Sequence, residues 1–221
     1  MVKVAVSLHS GPKLNLSKTL NSLKSAKADY LHIDVMDGSF VPEIDFGAGI
    51  TREIAQYSSI PLDVHMMVNN PIKLIKQYTL STTNTIGIHV EATQQIHRDL
   101  YYIKQLGKKA EVSINPGTPI SALYPILDFV DQIMVMSVDP GCSGKSPFIP
   151  EVSTRIKELN QIRLSNNYNY QIEVDGGITD QNLKPLIDNG LDTAVSGSFV
   201  FQGDTKKQIQ KLRDCDTKSF K

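Results

Sequence analysis

Short apolar runs, separated by amphipathic segments, recur along the whole chain. The runs fall near residues 2–7, 30–36, 61–67, 85–90, 109–114, 132–138, 170–175 and 192–197, and their length and β-branched content predict strands. Between them, apolar residues return at helical spacing; Leu16, Leu20 and Leu23 mark one such stripe within 14–26. The same reasoning predicts helices near 48–57, 70–79, 94–106, 151–164, 179–189 and 204–213, with a shorter segment at 120–127. Eight strand–helix alternations in 221 residues predict one α/β domain, residues 1–221, folded as a (β/α)8 TIM barrel. The rival arrangement is a doubly wound open sheet. No G-x-G-x-x-G follows the first strand, where such a sheet would hold a dinucleotide.

Several strands interrupt their apolar pattern with polar residues, and they do so in phase. Strand side chains alternate between faces. In "YLHIDVMDGSFVP" (30–42), Leu31, Ile33 and Val35 therefore share one face, and His32, Asp34 and Met36 share the other. Asp63, His65 and Met67 alternate with Leu62, Val64 and Met66, and Glu173 and Asp175 alternate with Ile172 and Val174. His89 and Glu91 share a face, and Ser7 is in phase with Ala5. The polar positions crowd the C-terminal ends of their strands, the end at which barrel active sites are built. His32, Asp34, His65 and Asp175 are thus expected to converge at the barrel mouth. Two imidazoles and two carboxylates make a complete donor set for one divalent metal ion, with zinc first and iron, manganese or cobalt as alternatives. Taken singly, each has an ordinary structural role. A strand-end His commonly serves as a hydrogen-bonded core residue, and a strand-end Asp commonly caps the next turn. Asp37, in the turn-like "DGS", belongs with the latter.

Three late turns carry glycine: "DPGCSGKS" (139–146), "DGGI" (175–178) and "SGS" (196–198). Glycine lets the backbone approach a ligand and aim free N–H groups at it. Barrels often hold a phosphate after their seventh and eighth strands. A small phosphorylated substrate is therefore expected, with its other end at the metal. Met36, Met67 and Met136 fall in phase for an apolar cover over a charged intermediate, although methionine is more usually core filler.

The charges balance, 23 basic against 23 acidic, so no net field draws nucleic acid or an acidic membrane. Cys142 and Cys215 form neither a disulfide framework nor a metal motif. No run of about 18 apolar residues predicts a membrane span, and "VKVAVSL" lacks the layout of an export signal. A soluble cytoplasmic protein is expected, and a homo-oligomer is compatible with this composition.

The chain resembles the ribulose-phosphate 3-epimerases over nearly its whole length, through "HIDVMDGSFVP" (32–42), "DVHMMV" (63–68), "NPGTP" (115–119), "VMSVDPG" (135–141) and "EVDGGI" (173–178). The resemblance implies a (β/α)8 barrel that interconverts D-ribulose 5-phosphate and D-xylulose 5-phosphate with a divalent metal. By matching positions, His32, Asp34, His65 and Asp175 hold the metal, and Asp34 and Asp175 double as catalytic acid and base. Ser7, Met36, Met67, Met136, Gly144, Gly176, Gly177, Gly197 and Ser198 match the substrate contacts. Two loops depart from the family pattern. "VSLHSGPKLN" places His9 where the family usually reads "PSILSADF", and "DPGCSGKSPFIP" brings in Cys142 and Lys145. "VDPG" is similar to the relative that epimerises D-allulose 6-phosphate, which stands as the alternative activity. A noncatalytic sugar-phosphate sensor has no need of the acid/base pair. A barrel decarboxylase would need a D-x-K-x-x-D array, which "DVMDG" lacks.

Overall fold

The structure, a computed structural model, describes residues 1–142 and 146–216. The barrel strands are β1 (Lys3–Ser7), β2 (Tyr30–Asp37), β3 (Leu62–Met67), β4 (Thr83–His89), β5 (Lys109–Ile114), β6 (Gln132–Met136), β7 (Gln171–Asp175) and β8 (Thr193–Ser196). Each pairs in parallel with its neighbours, and β1 pairs with both β2 and β8, so the sheet closes on itself. Closure removes the free strand edges that an open sheet would leave. The result is the (β/α)8 barrel expected from the alternation of runs.

The covering helices are α1 (Leu16–Ser25), α2 (Ala48–Tyr57), α3 (Ile96–Gln105), α4 (Val152–Asn166), α5 (Leu183–Asp188), α6 (Ser198–Phe201) and α7 (Thr205–Asp214). Two predicted helices differ. Segment 70–79 forms two 3-10 turns, Pro71–Lys73 and Ile75–Tyr78, entered through Asn70 in the left-handed region and separated by Leu74 at φ −111°. It still buries Pro71, Ile75 and Tyr78, so the apolar spacing was real although the α-helix was not. Segment 120–127 is a 3-10 helix, Ile120–Ile126, with Pro125 inside it; proline supplies no N–H for an i→i−4 bond. A further two-residue strand, Ile44–Asp45, folds back antiparallel on Met36–Asp37 and makes a lip beside the barrel mouth.

The outward faces of the strands build the main core. Val4, Val6, Leu31, Ile33, Leu62, Val64, Ile86, Ile88, Val112, Ile133, Ile172 and Val174 are all fully buried, and they pack with Leu20, Leu23, Ile54, Leu100, Ile103, Ile156 and Leu159 from the helices. The barrel interior is different. Barrel interiors are usually filled by branched apolar side chains, but here His32, Asp63, Glu111, Gln132 and Glu173 meet inside. The Gln132 amide donates to Glu111 Oε2 at 2.5 Å and also to Glu173. Gly87 leaves the space that Glu111 fills, because a Cβ there would collide with the Glu111 carboxyl.

Burial pushes the Glu111 and Glu173 carboxyls well above their usual range, and the nearby Asp63 charge adds to it. A carboxyl that stays protonated in the fold but ionises in the unfolded chain makes stability fall as pH rises. That stability is fully present below the unfolded pKa of 4.5 and is lost up to the folded value, by about 1.4 kcal/mol per pH unit for one group. Glu111→Gln, which cannot ionise, is expected to flatten the fall of stability that urea unfolding reads as pH rises above 4.5. An unchanged slope would mean that Glu111 is already ionised inside the barrel.

Candidate active site

Parallel pairing sets Asp34 beside His65 and Met36 beside Met67 on adjacent strands. The twist and closure of the barrel then carry β7 across to face β2. Around one point at the mouth stand His32 Nε2, Asp34 Oδ1, His65 Nδ1 and Asp175 Oδ2. His32 Nε2 lies 3.6 Å from Asp34 and 3.9 Å from Asp175. His65 Nδ1 lies 3.9 Å from Asp34 and 3.6 Å from Asp175. Ligands 2.0–2.2 Å from a tetrahedral cation would stand about 3.3–3.6 Å apart, so these spacings are slightly open for such a site. Both imidazole atoms are buried with no hydrogen-bond partner among the described residues, the costly condition that a cation would relieve. The four residues form a His/Asp cluster able to hold a metal ion, with every donor within 4.8 Å of the others.

The electrostatics favour positive charge at the same point. Burial works against a charged His32, but the carboxylates of Asp34 and Asp63 outweigh it and push its pKa up to about 10. Burial raises the Asp34 carboxyl, and Asp175 beside it adds to the rise. Asp175 is lowered despite its burial, with the His32 charge beside it. Two carboxyls of one site are thereby pushed in opposite directions, as an acid/base pair requires.

Each imidazole is also held from behind. His32 Nδ1 sits 2.6 Å from Asp63 Oδ2. His65 Nε2 sits 2.7 Å from His89 Nε2, and His89 Nδ1 sits 3.3 Å from Glu91 Oε2. Burial lowers the His89 pKa to about 4, while bonds from His89, Thr118 and Asn115 overcome burial to lower Glu91 to about 2. The sequence places Asp63, His89 and Glu91 in phase with the site but gives them no role; only the cross-strand contacts do.

A cavity of about 580 Å³ opens above Asp34 and Asp175. Ser7, Met36, Met67 and Met136 line it, and Ser7 Oγ donates to Asp34 Oδ2 at 2.7 Å. Gly176, Gly177, Gly197 and Ser198 line its other side. Gly176 and Gly177 have φ of +117° and +64°, which L side chains rarely adopt, and a Cβ on Gly176 would collide with Val138. Gly144 and Lys145 lie outside the described residues. The variant loop after β1 also reaches the cavity: His9, Ser10 and Lys13 line it. His9 and Lys13 both bind Asp45, and His9 Nε2 stands 3.3 Å from Glu43, which ties that loop to the lip. Asp37 takes the structural role expected of it, accepting from the backbone N–H groups of Ser39 and Phe40 at 2.8 Å each.

Known proteins bear on this arrangement in two ways. The barrel superposes on a tryptophan synthase alpha-subunit mutant from Pyrococcus furiosus with a TM-score of 0.70, at 15% identity, over 97% of this chain and all of that one. A thiamine phosphate pyrophosphorylase from the same organism gives 0.63 at 12% identity, over 97% of this chain and 95% of that one. Likeness at that identity concerns the fold alone. Sequence relatives go further. A ribulose-phosphate 3-epimerase of Aquifex aeolicus is 38% identical over 96% of both chains. One from Treponema pallidum is 38% identical over 94% of this chain and 95% of its own. One from Bacillus subtilis is 35% identical over 96% of this chain and 99% of its own. The sequence model described as the Ribulose-phosphate 3 epimerase family matches residues 3–201, and with it the chain belongs to that family of isomerases.

Proposed function

We propose that this chain interconverts D-ribulose 5-phosphate and D-xylulose 5-phosphate by inverting C3, using Asp34 and Asp175 on opposite faces of the substrate and one divalent ion held with His32 and His65. The observation that carries the proposal is the convergence of two partnerless imidazole nitrogens and two oppositely shifted carboxyls on one point beneath the cavity. Zinc is the proposed ion; iron, manganese and cobalt suit the same donors. When bound, such an ion supplies an electrophile for the oxygen on which charge develops as the C3 proton leaves.

The protein's own groups do the rest. Asp175, held ionised, accepts the C3 proton of one epimer. Asp34, whose carboxyl burial raises, returns a proton from the opposite face, and the roles reverse for the other epimer. Ser7 fixes the Asp34 carboxyl through the 2.7 Å bond to Oδ2 and leaves Oδ1 toward the centre. Met36, Met67 and Met136 cover the reacting carbons with polarizable, apolar surface and exclude water. Gly176, Gly177, Gly197 and Ser198 would receive the phosphate through backbone N–H groups, which fixes C3 between the two carboxyls.

Asp139, which lines the cavity in "VDPG", keeps the six-carbon substrate D-allulose 6-phosphate as a second reading. Purified protein of measured metal content, assayed on both ketose phosphates, separates the two. A kcat/KM at least tenfold higher for D-ribulose 5-phosphate is expected. A reversed preference would assign the hexulose instead, and turnover of neither would refute the proposed activity.

A further inference from the structure

We infer that Glu91 and His89 are positioning residues that fix which nitrogen of His65 faces the centre. This rests on the proposed metal site and concerns how that site is set up.

The chain of contacts begins at the surface. The Glu91 side chain is about a quarter exposed, at 24%. Its Oε1 accepts from the Asn115 backbone N–H at 2.9 Å and from the Thr118 hydroxyl. The loop that supplies those donors is held in turn by Arg155 of α4. The guanidinium donates to the carbonyls of Asn115 at 3.0 Å, Pro116 at 3.2 Å and Thr118 at 2.6 Å. Glu91 is therefore fixed with Oε2 turned inward toward His89.

A carboxylate only accepts, so the His89 nitrogen that faces it, Nδ1, carries a hydrogen. A neutral ring with its hydrogen on Nδ1 has a bare Nε2. That Nε2 stands 2.7 Å from His65 Nε2, and one hydrogen must lie between them, so it belongs to His65. A neutral His65 with its hydrogen on Nε2 then presents a bare Nδ1 to Asp34 and Asp175, the atom left without a partner in the structure. The two metal-facing imidazoles are thus set oppositely. Asp63 leaves Nε2 of His32 facing the centre, and the relay leaves Nδ1 of His65. His89 is fully buried, so water does not replace it as the acceptor.

Two measurements test this on the full chain. In metal-free protein with 15N-labelled histidine, long-range 1H–15N spectra are expected to show His65 with its hydrogen on Nε2. His89→Phe and Glu91→Gln are expected to lose that single tautomer. Their affinity for Co²⁺, measured by chelator competition, is expected to fall by about 10–100-fold, the usual effect of removing a partner behind a metal ligand. Thr118→Val, which removes one donor to Glu91, is expected to show a smaller loss in the same direction and keeps the test open if His89→Phe does not fold. A purely structural role would lower the unfolding midpoint but leave tautomer and affinity alone, and that result would overturn the inference. A changed tautomer with unchanged Co²⁺ affinity would overturn the link to the metal site. If the wild type takes up no Co²⁺, or His65→Ala binds it as tightly, the metal reading itself fails, while the tautomer spectrum still decides the relay.

Discussion

Asp34→Asn and Asp175→Asn are each expected to lower epimerisation of D-ribulose 5-phosphate by about 10²–10⁴-fold, the usual contribution of one positioned acid or base. Asparagine keeps the size of the side chain but neither gives nor takes the proton. The two losses are expected to be similar and far from additive, since removal of either partner stops the same transfer. The structure also predicts a difference between them. Burial raises the Asp34 carboxyl, whereas Asp175 is lowered beside the His32 charge. Asp175→Asn therefore removes the more acidic of the two carboxyls, and it should cost more metal affinity than Asp34→Asn. Turnover and metal content, measured on the same samples, check both points. Wild-type turnover in either variant would remove that residue from the proposed pair.

Removal of the metal is expected to have an effect of similar size. Charge stabilisation by a bound cation is worth several kcal/mol, so metal-free protein should lose at least about 10³-fold in turnover and regain it when Zn²⁺, Co²⁺ or Mn²⁺ is restored. His32→Ala and His65→Ala should lose metal and turnover together. His32→Ala should also lower stability more, because it leaves Asp63 buried without its 2.6 Å partner. Urea unfolding of the two variants beside chelator-treated wild type separates loss of metal from loss of fold. Full turnover in protein shown to be metal-free would contradict the proposed centre.

Much of this was legible in the chain because a strand has only two faces. The alternation of His32 and Asp34 with Ile33, of His65 with Val64, and of Asp175 with Val174 marks an inward polar set without any tertiary information. The same alternation placed Ser7 and the three methionines, and the structure brings them to one cavity. What the chain did not announce depends on the stagger between strands. His89 lies two strands from His32, and the Gln132 bridge joins carboxyls on β5 and β7; no single period contains those distances. The segment 70–79 shows the opposite limit. Its apolar spacing suits a helix, but Asn70 in the left-handed region and Pro71 after it set a tighter turn. The lip at Ile44–Asp45 is too short to carry a period, although it binds His9 and Lys13 through Asp45.

The central claim is transfer of the C3 proton between two carboxyls on opposite faces, and the origin of the hydrogen at C3 of the product tests it most directly. A single base that swung across the substrate could carry the original hydrogen over; two fixed bases cannot. Metal-loaded protein should be given D-ribulose 5-phosphate in D₂O, and D-xylulose 5-phosphate collected within the first turnovers should be examined by NMR. The account predicts deuterium at C3 of essentially every product molecule, with slower labelling of the recovered substrate. Product that retains the original C3 hydrogen would contradict it.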